Sequence, residues 1–105
     1  MGYAKFEHLS RSQLSKHIRA VSANSSAVFI TRHAKAQMHK RGINVSLVYD
    51  CLRGGAVNRQ PEPSLKLDNL ECRMERFLAG KTCCVIAALC DEEPDIVCVT
   101  VFFSH

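Results

Sequence analysis

The chain has few of the residues that interrupt or staple a polypeptide. Five glycines and three prolines among 105 residues, with 47% hydrophobic content, argue for a folded globule rather than disorder. That length is one domain, 1–105, large enough for a single modest core. Long apolar runs are missing: the longest, C-C-V-I-A-A-L-C from Cys83 to Cys90, is far too short to span a bilayer. The start, M-G-Y-A-K-F-E-H, has no apolar signal core, so a cytoplasmic location without membrane contact is expected. No phosphate loop, dinucleotide fingerprint, zinc-protease motif or nucleophile elbow occurs, and no cofactor is expected. Tyr3, Tyr49 and the five Phe form no evident stacking stripe of the kind single-strand binders use.

Six cysteines are present, but no C-x-x-C and no Cys/His pair with zinc-finger spacing. Cys72, Cys83, Cys84, Cys90 and Cys98 sit in strand-like apolar runs, where a thiol acts as a small hydrophobe. Reduced, buried thiols are therefore expected, and no metal site. Acidic residues are scarce in one part of the chain. Residues 1–60 hold Lys5, Arg11, Lys16, Arg19, Arg32, Lys35, Lys40, Arg41, Arg53 and Arg59 against only Glu7 and Asp50, and the remainder is acidic. Two explanations stand: a basic half that meets an anion, phosphate backbones being the commonest, or a basic half that complements the acidic one within the fold.

Local signals define the helices. Ser10 and Gln13 have capping-box spacing, Leu9 and Leu14 stand at the staple positions, and Leu14, Ile18 and Val21 form one apolar stripe. Thr31 is an N-cap for a helix over about 32–41, with Gly42 where a left-handed C-terminal residue is wanted. Asn44 caps a third helix carrying Val45, Val48 and Leu52, closed by Gly54-Gly55. Then the period changes. A-V-N-R-Q is a candidate short strand, P-E-P-S-L-K-L-D-N reads as a loop, and three strands follow, around residues 71–78, 82–90 and 95–103. Their connections, A-G-K and D-E-E-P, are short enough for hairpins. The expected fold class is α+β: two to three N-terminal helices packed on a curved antiparallel sheet of three to four strands.

The pattern H-A-x-x-x-M-x-x-R-G-I from His33 to Ile43, a short capped helix ending in Gly, then strands closing on V-T-V-F, resembles a bacterial domain-of-unknown-function family, number 4258. The likeness runs over 30–103, leaving 1–29 as an N-terminal helical extension. It implies a fold near RelE, barnase and the colicin nucleases, whose members are often metal-independent ribonucleases and toxins. RNA is the implied partner, with an acidic antitoxin or immunity protein as a further one. A catalytically inactive nucleic-acid- or protein-binding module is the alternative. Relatives carry a charged residue, often Arg, where this chain has Gln37, so the resemblance implies a weaker phosphate contact there.

Metal-free RNA cleavage needs a base, an acid and donors for the charge of the transition state. His33, Gln37 and Arg41 lie four residues apart on one stripe, with Ala34 and Met38 on the core side. His33 is the acid/base candidate. Arg41 is a catalytic candidate, or a cation that favours the helix dipole in the last turn. Arg32, Lys40 and Gln37 are candidates for substrate contact. On the first long strand Arg76 shares the parity of Cys72 and Met74 and is a candidate phosphate clamp, with Arg73 as its alternative. In the last strand Ile96, Cys98, Thr100 and Phe102 share one parity, and Thr100 is the only hydroxyl in the two apolar rows. His105 is a general acid or a tail end, and His39 faces solvent.

Overall fold

The computed structural model describes residues 3–64, 67–91 and 95–104. Three α-helices lead: α1 (Arg11–Ser22), α2 (Arg32–Arg41) and α3 (Val45–Gly54). One strand, β1 (Val28–Ile30), precedes α2, and β2 (Ala56–Val57), β3 (Glu62–Ser64), β4 (Asn69–Leu78), β5 (Lys81–Leu89) and β6 (Ile96–Ser104) follow α3.

The helix ends form where local chemistry dictates. Ser10 accepts from the Gln13 amide while the Gln13 side chain accepts from the Ser10 amide, a complete capping box. Thr31 and Asn44 cap α2 and α3 by accepting from the Ala34 and Leu47 amides. Gly42, at φ 67°, terminates α2 in the left-handed region. The hairpin between β4 and β5 needs two such residues in succession, and Ala79 (φ 51°) and Gly80 (φ 81°) supply them.

The fold is α+β, but the sheet differs from the expectation in two ways. It has six strands rather than three to four, and it is mixed rather than antiparallel, because β1 pairs parallel to β6. The path is β1-β6-β5-β4-β2, and β3 shares the outer edge of β4 with β2. The segment read as a loop, P-E-P-S, supplies β3: Glu62 to Ser64 pair with Glu71 to Asn69. Pro63 fits an edge strand, which can leave one side of its backbone without a ladder partner. Of A-V-N-R-Q only Ala56 and Val57 are strand. Leu65, Lys66, most of the D-E-E-P turn and His105 lie outside the described residues.

One core lies between the helices and one face of the sheet. Leu14 and Ile18 of α1, Ala34 and Met38 of α2, and Val48, Cys51 and Leu52 of α3 meet Cys72, Met74, Val85, Leu89, Ile96 and Val101. The segment before the family-like region thus contributes to the same core. Cys51, Cys72, Cys83, Cys84 and Cys98 are buried thiols. Burial pushes Cys72 and Cys98 up to about 12, and a hydrogen bond to Cys83 together with burial pushes Cys51 up. No helix among the described residues is long and apolar enough to cross a membrane.

Candidate functional site

A register shift between Ile86 and Ala87 of β5 shapes the site. Ile86 pairs with Thr100 and Ala87 with Cys98, so Val99 is the extra residue of a β-bulge. Simple alternation places Thr100 and Phe102 with Ile96 and Cys98; the bulge breaks that row. Ile96, Cys98 and Val101 face the core, while Thr100 turns to the other face, in one cross-strand row with Ile86 and Arg73. The next row is Glu75, Cys84 and Phe102.

On this second face is a cavity of about 430 Å³. Its floor is Ile86, Val99, Thr100, Arg73 and Glu71, and His33, Arg59, Gln60, Glu62 and Leu67 line it too. His33 arrives from the first turn of α2, because Thr31 donates its N–H to Cys98 O (3.1 Å) where β1 ends and the helix starts. Glu62 and Glu71 are directly opposed across the β3–β4 pair. Arg73 is held at its far end: Nη2 lies 3.2 Å from Glu75 Oε2, and the guanidinium carbon lies 4.9 Å from the Phe102 ring centroid. Among the described residues no group of three or more His, Cys, Asp or Glu is placed to hold a metal ion.

The cavity brings together His33, Arg73 and Thr100 of the candidates read from the sequence. Arg76 is elsewhere. It points to the helix side of β4, donates to Asp50 O at 2.9 Å and occupies the space that a side chain at Gly54 would fill. There it satisfies a carbonyl near the C-terminal end of α3. Gln37 and Arg41 face the edge of β6 beyond the reach of β1. Gln37 Oε1 accepts from the Val101 N–H (3.0 Å) and Arg41 Nη1 donates to Val101 O (3.3 Å), so two side chains of α2 replace a neighbouring strand. An Arg at position 37 has no acceptor to offer that N–H. Arg32 and Lys40 are exposed on α2 and do not line the cavity.

The basic excess of residues 1–60 is partly structural. Arg11, Arg19 and Arg53 donate to the carbonyls of Asn58, Gly55 and Ser22 around the contact of α1 with α3. Among the described residues one ion pair, Lys5–Asp91 at 3.9 Å, joins the basic half to the acidic one. Sequence reading missed Arg59, Gln60, Glu62, Leu67 and Glu71. The alternation E-C-R-M-E, residues 71–75, was the available signal, since it puts three charged side chains on one strand face.

These features define a small α+β domain with one sheet face buried and the other carrying a polar, mixed-charge cavity. The chain belongs to the family described as domain of unknown function (DUF4258), whose model matches residues 30–103. No curated protein and no solved structure matches it at a significant level.

Proposed function

We propose that the chain is a RelE/barnase-like RNA-binding domain that cleaves phosphodiester bonds without a metal, with the open-face cavity as its active site. One observation carries this: His33 of α2, Arg73 of β4 and Thr100 of β6 line a single cavity with Arg59, Glu62 and Glu71. Retention of polyanions draws on Lys and Arg contacts to phosphates and has no use for carboxylates. Two carboxylates beside two guanidinium groups instead suit proton transfer next to a bound phosphate. In this reading His33 and Glu71 are the acid–base pair. One takes the proton of the 2′-hydroxyl and the other protonates the 5′-oxygen as it leaves. Arg73, Arg59 and the Thr100 hydroxyl carry the charge on the non-bridging oxygens. The volume, about 430 Å³, suits the step between two nucleotides rather than a duplex. Exposed Arg32, Lys35 and Lys40 then offer a face to the flanking strand, or to an acidic antitoxin or immunity partner in the cytosol.

The test is an incubation of the protein and of His33→Ala with total RNA and tRNA in EDTA at low salt. Cleavage by the first and its loss in the second are expected. Intact RNA in both tubes sinks the reading, and salt-sensitive retention without cleavage assigns the cavity to binding alone.

A further inference from the structure

Arg73, in the cavity wall, carries a buried donor that meets no acceptor among the described residues. Arg73 extends from β4 across β5 toward β6, with Nη2 against Glu75 Oε2 and 3.4 Å from Cys84 Sγ, and with its guanidinium carbon over the Phe102 ring. The side chains of Arg73 and Glu75 are only 18% and 14% exposed, so their pose is fixed by packing as well as by charge. Cys84 completes the triangle, its Sγ 3.9 Å from Glu75 Oε2. Burial holds that thiol above its ordinary range even though the adjacent Arg73 pulls it down, so Cys84 remains an S–H. These groups occupy Nη2. The Nε–H is buried and meets no acceptor among the described residues. Buried N–H groups are almost always paired, and a guanidinium edge presents its donors to oxygens in a plane. The acceptor for this Nε–H would be a ligand oxygen that enters from the cavity as the side chains covering Nε shift, beside Thr100 in the same cross-strand row.

We propose that Arg73 receives a phosphate oxygen through Nε–H, and that Glu75, with Phe102, is a positioning residue that holds the guanidinium in the receiving pose. The inference rests on the reading of the cavity as a phosphodiester site, but its anion-binding content is separately measurable. Glu75 engages one part of the guanidinium and leaves another for the ligand, so the carboxylate orients the cation rather than competing for the same donor.

The experiment is a titration with inorganic phosphate followed through the arginine Nε–Hε resonances by NMR, the Arg73 signal being assigned by its loss in Arg73→Lys. The Arg73 resonance is expected to move and saturate while that of Arg76, on the opposite face, stays. Glu75→Ala should weaken phosphate about tenfold or more, and Glu75→Gln, which keeps a hydrogen-bonding group without the charge, should restore part of it. If Glu75→Ala does not fold, Glu75→Gln and Arg73→Lys still decide the matter, each checked by its amide spectrum. An Arg73 resonance indifferent to phosphate, or position-75 variants that all bind it as the natural chain does, overturns the proposal. RNA cleavage undiminished in Arg73→Lys also overturns it and leaves the ribonuclease reading standing. Saturable phosphate at Arg73 with no cleavage of any RNA supports it and removes the ribonuclease reading.

Discussion

Along β4, Leu70, Cys72 and Met74 are buried against the helices, while Glu71, Arg73, Glu75 and Phe77 lie on the opposite face, where Phe77 is 70% exposed. Neighbouring residues of one strand therefore live in different solvents. The helix side selects for volume, and Arg76 sits there against a waiting carbonyl, Asp50 O. The open side keeps ionised groups half-buried by pairing them laterally, as with Arg73 and Glu75. Arg73 and Arg76 are three residues apart, and the side of the sheet alone separates a cavity wall from a helix cap.

That contrast can be broken at several points. His33→Ala should lower RNA cleavage about 10²–10⁴-fold while changing stability by no more than about 0.5 kcal/mol, because the side chain is exposed. A shifted urea midpoint with cleavage intact would reverse that assignment. On the other face Met74→Ala removes a fully buried side chain and should cost about 2–5 kcal/mol in urea unfolding, with cleavage preserved where the protein is still folded. A cost under about 1 kcal/mol would mean that the core is not packed as described. Gln37→Leu leaves the Val101 N–H without its acceptor and should cost about 1–3 kcal/mol, most of it recovered by Glu at this position. Equal stability of all three chains would remove the strand-replacing role of α2. Arg76→Ala should cost about 1 kcal/mol and leave cleavage unchanged, whereas loss of activity on a correctly folded background would put Arg76 back in the site.

The smallest effect is expected at His17, which packs at a tilt against Phe6 with ring centroids 5.0 Å apart and has a buried Nε2. Burial first and the nearby Lys5 second lower its pKa, against an opposing pull from Asp95. Above its unfolded value of 6.5 both states are neutral and no stability is lost. As the pH falls below that value the unfolded chain takes up the proton first, so the folded state loses ground. His17→Phe should flatten the decline in urea midpoint below that pH. Parallel declines in the two proteins would show that His17 does not carry it.

The helices were legible because their signals are local. Ser10 with Gln13, Thr31, Asn44 and Gly42 each act within four residues, and a capping hydrogen bond does not depend on what is far away. The meander of β4, β5 and β6 was legible in outline for the same reason, since its first turn needs only Ala79 and Gly80. The parallel pairing of β1 was not, because nothing near Val28–Ile30 names a partner nearly seventy residues later. The site was half legible. His33 came from its motif, and Arg73 stood as the alternative to Arg76 on a strand whose faces could be listed but not assigned.

The sequence by itself thus determined the helix ends, the alternation along β4 and the supply of His, Arg, Thr and Glu side chains. Tertiary structure alone decided which of them meet. The bulge at Val99 turned Thr100 away from Cys98 and toward Arg73, Gly54 left the room beside α3 that the Arg76 guanidinium fills, and the bare edge of β6 drew Gln37 and Arg41 to Val101. The physical reason is shared by the first and the last. A one-residue shift in register, or an unpaired backbone group at a sheet edge, is set by partners distant in sequence, and each moves a side chain to the other face or to another bond.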